Sequence, residues 1–377
     1  MLTLESRRRD FPALEGITYL NTAAESIPPL AVRDALLAYW QDKLLGMAGR
    51  QPHFARLEQC REISAQMLGL TPAEVSFCSC SAEAYNLLAT ALNLAPADEV
   101  VINDLDFPSG ATPWLASATP PKVHVWKSRG GALFIEDLAP LLNERTRLVQ
   151  VSLVSFYNGW RLAWVPLRDA VRRLAPHALL TVDVTQALGR VVLDCQDADC
   201  LISSTHKWTL GIHGGCIVGV PAAGAARLTT RAGGWFHLKN AFDADRFERA
   251  VPKLGAASFS VGMPNFAAIY ALDAALRYVD SVGVETIARH ADPLVLRLHE
   301  GLVELGLQPM APKQSECCSG ILAFQHPQTT AINAALEKES IHAMHHAGRI
   351  RFALHGYNTS EDVEQVLTLL GTVLRAL

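Results

Sequence analysis

The segment ALLTVDVTQALGRVVLDCQDADCLISSTHKWTLGIHGG, residues 178–215, holds two apolar runs, 178–184 and 200–204, each closed by polar residues. Short runs rich in Val, Leu and Ile between turn residues predict buried strands. The first run ends on Asp183, with Gln186 three residues on, and the second leads into Ser204, His206 and Lys207. Lys207 stands between His206 and Trp208, with glycines at 211, 214 and 215 just beyond. Open α/β sheets carry their ligands at the carboxyl ends of the strands, which makes this lysine a candidate functional group.

Outward from this segment the pattern repeats. Further strand candidates are 74–79, 99–103, 122–127, 147–155 and 215–220, with helix-length periodic segments such as 81–94 and 166–175 between them. Strands alternating with helices predict an α/β layered unit with a mostly parallel sheet. From 264 the texture changes. Pro264 suits a first helical turn, and Ile269, Leu272, Leu276 and Val279 fall on one helical face. Another helix pattern covers 284–305, strand-like runs cover 319–325 and 349–355, and a last helix covers 360–376. The expected organisation is a large unit over 15–255 and a smaller α+β unit made of 1–14 and 256–377. There is no internal repeat or low-complexity linker.

Composition narrows the function classes. Of the 377 residues half are hydrophobic and 19% are charged, with a net charge of −4 and no block of like charge. Nothing in this balance points to a nucleic-acid partner. No uncharged apolar run approaches the roughly 18 residues of a membrane helix, and MLTLESRRRDFPALEG lacks the apolar core of a secretory signal. The eight cysteines (60, 78, 80, 195, 200, 216, 317 and 318) lack paired C-x-x-C zinc spacing. The expectation is a reducing, cytoplasmic setting without a metal.

Four strand ends carry polar or special residues. Ser81, Ala82 and Glu83 open a helix after 74–79, and backbone N–H groups at a helix start attract phosphate. Phe107 follows an acidic pair after 99–103; Asp183 and Gln186 follow 178–182; Ser204, His206 and Lys207 close the set. Singly each is bland: a strand-end aspartate is usually a cap, a lone lysine a solvated charge, and a phenylalanine core. Together, an aspartate and a lysine on successive strand ends are what pyridoxal phosphate requires. The lysine forms a Schiff base and the aspartate keeps the pyridinium nitrogen protonated. Burial and neighbouring positive groups promote loss of the lysine proton, and Trp208 is a candidate apolar wall.

The D-x-x-Q and S-x-H-K pattern of 183–207 resembles the cofactor segment of class V aminotransferases, the family of cysteine desulfurases, kynureninases and isopenicillin N epimerase. YLNTAAESIPP (19–29) is similar to the mouth of that family's substrate site, FCSCSAEAYN (77–86) to its phosphate loop, and RFALHGYNTSEDV (351–363) to its C-terminal segment. The resemblance implies fold type I and pyridoxal 5'-phosphate. It makes Lys207 the Schiff-base lysine, Asp183 the pyridinium partner and Gln186 the donor to the phenolic oxygen. Ser204, His206 and Ser81 would bind phosphate, Ala82 would lie in the phosphate loop, and Phe107 would stack on the ring. Arg351 would hold the substrate carboxylate, with Asn21 and Ala23 beside it.

The departures from the family pattern carry information. Ala82 and Met263 stand where threonine is common, so phosphate loses hydroxyl donors, one of them thought to reach a neighbouring subunit. Phe107 replaces the histidine of desulfurases and stacks without moving protons. The loop SIHAMHHAGRI (340–350) holds no cysteine where desulfurases form persulfide. Its His342, His345 and His346, at i, i+3 and i+4, raise a metal alternative, but no third acidic ligand is near. One of them is also a candidate acid or base facing the substrate. These readings favour α,β-elimination on a small amino acid, with sulfur at its β or γ position, over persulfide formation. Amino-acid epimerisation and transamination are the alternatives, and a non-enzymatic scaffold is disfavoured because the lysine and aspartate are both present. GGWFHLKN (233–240) resembles a segment that family dimers contribute to the partner's site, so a homodimer with Trp235 near its interface is expected.

Overall fold

A computed structural model of the chain describes residues 1–314 and 318–377; Cys317 lies outside the described residues. The central sheet comprises β1 (Val75–Cys78), β2 (Glu99–Asn103), β3 (Lys122–Trp126), β4 (Thr146–Ser152), β5 (Leu179–Asp183), β6 (Cys200–Ser204) and β7 (Cys216–Gly219). Their order is β1-β7-β6-β5-β4-β2-β3. All pairs are parallel except those of β7, which runs antiparallel to β1 and β6.

Apart from the partly exposed edge strand β3, these strands read as largely apolar runs because both faces are covered, as parallel sheets require. Val149, Val151, Leu180, Val182 and Leu201 pack on one side with Trp164, Leu167 and Val171 of the helix Trp164–Leu174. The alternate residues Leu148, Leu179, Cys200 and Ile202 pack on the other with Tyr85 and Leu88 of the helix Ser81–Leu92. Because β1, β2, β4, β5 and β6 all run the same way, their carboxyl ends open at one edge. That edge receives Ser81, Phe107, Asp183 and Lys207.

A three-stranded antiparallel sheet is built from Met344–His346, Arg349–Ala353 and Ile321–Gln325. Leu322, Phe324, Ile350 and Phe352 bury one face of it against Leu298, Val366 and Leu370. Thr18–Tyr19 pairs in parallel with Ile341–His342, and Asn21 bridges Ala353, which ties this N-terminal stretch to the smaller sheet. The helix Ser360–Ala376 starts on a reciprocal cap between Thr359 and Asp362. The helix expected near 264 runs Phe266–Val282 and is capped by Asn265, so Pro264 precedes the cap instead of filling the first turn. Two long helices, Leu30–Leu44 and Arg50–Leu68, have no counterpart among the sequence expectations. Among the described residues no helix is long and apolar enough to cross a membrane.

Candidate active site

The turn after β6 is built around Thr205. Its hydroxyl donates to the carbonyls of Ile212 (2.8 Å) and Gly215 (3.0 Å). A Cβ at residue 211 would meet the Thr205 carbonyl oxygen at 2.5 Å, so only glycine lets the chain fold back this tightly. This turn directs the partly buried Lys207 toward Phe107, with Nζ 5.6 Å from the ring centroid. Burial pulls the Lys207 ammonium down to about 8; nearby Asp183 opposes the shift and Arg351 adds to it.

Asp183, on the neighbouring strand end, accepts Tyr85 Oη–H at Oδ2 (2.6 Å) and Thr185 N–H at Oδ1 (2.7 Å). Tyr85 is buried and, with a carboxylate beside it, its hydroxyl is held well above the usual phenol range. Each carboxylate oxygen accepts a second donor, so Asp183 retains capacity for a ligand N–H. Asp106 is an unanticipated member of this cluster. Burial raises its carboxyl to about 7 against hydrogen bonding from Ser152, and Oδ2 is buried without a partner. Its only sequence signal was its place in the acidic pair before Phe107.

Gln186 donates from Nε2 to the Ala23 carbonyl (3.0 Å) and accepts Trp208 Nε1–H at Oε1 (2.6 Å). Trp208 is therefore not a wall of the site. Its indole is buried and stacked on His355, and it positions Gln186 from behind. His206 stacks on His213 at 4.0 Å, and His213 in turn pairs with Glu25. Burial, reinforced by Lys207, lowers the His206 imidazolium to about 4, so this ring is neutral at pH 7. Its carbonyl accepts the Ser26 N–H (3.0 Å), which fastens the 19–29 segment to the lysine turn. The backbone N–H of Ser204 donates to Thr185 Oγ1 (2.9 Å).

Ser81 and Ala82 form the first turn of their helix, and its cap residue Cys80 makes no side-chain cap. The free N–H groups of such a start form an anion seat. A cavity of about 250 Å³ lined by Phe77, Glu83, Gly214, Met263 and Asn265 adjoins it. Phe107 exposes nearly half of its surface and meets Phe156 edge to face at 5.0 Å. Arg351 is buried, donates from Nη1 to the Phe156 carbonyl (2.6 Å) and keeps Nε without a partner. Asn21 Oδ1 is likewise buried and unsatisfied. Arg349, which sequence reasoning did not single out, lies on the same strand face two residues before Arg351.

The loop histidines are all on short strands, His342 on Ile341–His342 and His345 and His346 on Met344–His346, not on a helix. His345 pairs with Ile350 and bonds Thr329 Oγ1 (3.2 Å), so it belongs to the face opposite Arg351. His346 pairs with Arg349 and shares the arginine face. Cys60, Cys78, Cys80, Cys195, Cys200 and Cys216 are free thiols, and none stands on 340–350. Trp235 is partly exposed and meets Phe236 and Phe242 edge to face.

The class-V aminotransferase profile matches residues 18–366. An uncharacterized aminotransferase, YcbU, of Bacillus subtilis is 27% identical over 365 residues, covering 96% of each chain. The apo cysteine desulfurase of Thermococcus onnurineus superposes with a TM-score of 0.87 at 23% identity, covering 100% of this chain and 99% of its own. The cystine C–S lyase C-DES, solved with its product cysteine persulfide, gives 0.87 at 20% identity over 96% of this chain and 99% of its own. The fold expected from the alternating strands and helices is the one these structures share. The order of strand ends around Asp183 and Lys207, with the profile match over nearly the whole length, means that the chain belongs to the class-V aminotransferase family.

Proposed function

We propose that this chain is a pyridoxal 5'-phosphate-dependent lyase that removes a β-substituent, favouring sulfur, from a small amino acid. The observation that carries the reading is the strand-end pair. Lys207 has a lowered pKa over the bare face of Phe107, and Asp183 is held by Tyr85 on the adjacent strand end.

The residues fit the cofactor. The uncapped helix start at Ser81 and Ala82 would take the phosphate, with Ser204 and a neutral His206 as further donors. Phe107 would lie against the ring, Asp183 would accept the pyridine N–H, and the second hydrogen of Gln186 Nε2 would reach the phenolic oxygen. Lys207 would hold the aldehyde carbon through its neutral amine. When bound, the cofactor draws electron density from Cα and makes its proton acidic.

Arg351, with Asn21 and Ala23 beside it, would fix the substrate carboxylate, so that the Cα–H bond is aligned for removal. The free amine of Lys207 would then take the proton from Cα onto Nζ, and the β-substituent would leave with its bonding electrons and pick up a proton as a thiol. Two features disfavour the persulfide route: Phe107 cannot relay protons, and 340–350 has no cysteine nucleophile. The shared fold with a cystine C–S lyase supports carbon–sulfur cleavage. His346, on the arginine face, keeps epimerisation as the second reading, because it supplies a proton donor that Lys207 does not. His345 is withdrawn from either role by its bond to Thr329. A homodimer with Trp235 near the interface, working in a reducing cytoplasm, completes the reading.

A panel of sulfur-containing and plain amino acids, assayed in deuterated water, tests it. The lyase yields keto acid, ammonia and a thiol fragment. Intact amino acid inverted at Cα and carrying deuterium there identifies the epimerase instead.

A further inference from the structure

Three arginines are buried among the described residues: Arg190, Arg349 and Arg351. Arg190 has an acidic partner, Asp292, at 2.7 Å. Arg349 and Arg351 have none among the described residues, and the Nε of each is buried without a hydrogen-bond partner. Two like charges on one strand face, with no counter-anion among the described residues, make an expensive arrangement, because a buried cation needs an anion to replace its lost hydration. The two guanidinium groups are also held apart. Arg349 lies over the Tyr157 ring, 4.1 Å from its centroid, whereas Arg351 is tethered to the Phe156 carbonyl. Two arginines on alternate residues of one strand, each held by a different neighbour, suit two separate anions better than one shared carboxylate.

We propose that Arg349 is a specificity-determining residue that binds an anionic group at the end of the substrate side chain, while Arg351 takes the α-carboxylate. The substrate class is thereby an α-amino acid with an acidic side chain, such as a carboxylate or sulfinate. This rests on the site reading given above and narrows its substrate. The chain from Lys207 through Phe107 and Phe156 to both arginines is continuous, which brings the second anion seat to the reacting end of the pocket. Arg349 is also turned away from the small core, since its strand neighbours Ile350 and Phe352 occupy that core instead.

Spectral titration of the cofactor-loaded protein with L-alanine, L-aspartate and L-cysteine sulfinate tests this by binding, without turnover. The wild type is expected to bind the two acidic amino acids at least about 30-fold more tightly than alanine. In Arg349→Met that ratio should collapse toward one, and Arg349→Lys should restore part of it. No acidic preference in the wild type overturns the proposal, and that arm does not depend on any variant folding. A ratio unchanged in Arg349→Met overturns it as well, and alanine weakened as much as aspartate would assign Arg349 to the α-carboxylate. If none of the three amino acids perturbs the cofactor spectrum, the site reading itself falls. If all bind with no charge preference, only the assignment of Arg349 falls.

Discussion

Lys207 gives up its proton near pH 8 instead of the usual 10.5 because burial removes the water that stabilises an ammonium. Only the neutral amine attacks an aldehyde, so capture of pyridoxal phosphate by cofactor-free protein should accelerate with pH and level off above a midpoint near 8. Stopped-flow absorbance across pH 6–10 measures this, and a midpoint above 10 would contradict the burial argument. Borohydride reduction followed by peptide mapping should find the pyridoxyl label on Lys207 and lose it in Lys207→Ala; label on Lys239 or Lys253 would move the site. The same shift has a stability consequence. Folded protein holds fewer protons than unfolded chain between the two pKa values, so Lys207 favours folding progressively as pH rises from about 8 to 10.5. Cofactor-free wild type should gain on Lys207→Met in melting temperature across that window, and a constant difference would mean that the lysine is hydrated.

The elements that sequence made legible are those whose apolar pattern is fixed by burial on known faces. β2 and β6 match the expected 99–103 and 200–204 residue for residue, since both are buried throughout. The helix Leu30–Leu44 escaped because it buries only Val32, and Arg50–Leu68 because its core residues Leu57, Ile63 and Leu68 are interspersed with polar and small ones. Beside those three the second also buries His53, Cys60, Ser64 and Ala65, small or polar groups that dilute the periodic signal. It is held to Phe266–Val282 partly by charge: Asp273 is fully buried between Arg56 (2.8 Å) and Arg277 (2.9 Å). Removing one arginine leaves a buried carboxylate half compensated. Arg56→Ala should therefore cost about 1–3 kcal/mol, read by urea unfolding. A change within a few tenths of a kcal/mol would mean that Arg277 suffices alone. In the site, Lys207 and Asp183 were legible because motif spacing and strand ends coincide, whereas Arg351 came only from the resemblance of 351–363 to the family's C-terminal segment. Asp106, Tyr85 and Arg349 were not legible, because pairing and burial in three dimensions give them their character. The misassigned Trp208 shows the converse, a ring next to the lysine in sequence that turns into the core.

At the scale of the whole molecule, the helix that buries only Val32 carries the exposed apolar residues Leu37, Trp40 and Leu44, on one face at i, i+3 and i+7. Phe242 and Phe247 are also highly exposed, and Phe242 meets Trp235 edge to face. Exposed apolar patches of this kind mark association sites, and the proposed homodimer gives them an occupant. Met263 lines the cavity beside the Ser81 helix start and is itself exposed, which makes it the residue at which the proposed association and cofactor binding can be tested together. A methionine there offers no hydrogen-bond donor to a phosphate, whereas a threonine does. If the residue reaches a partner's phosphate, Met263→Thr should slow cofactor loss on dialysis about 5- to 10-fold, the worth of one added hydrogen bond of about 1 kcal/mol. In Trp40→Asp/Leu44→Asp protein, light scattering should find the 40.9 kDa monomer, and adding Met263→Thr should then bring no gain. A gain that persists in the monomer would put Met263 at its own chain's phosphate, and wild-type protein that is monomeric when cofactor-loaded would remove the interface altogether.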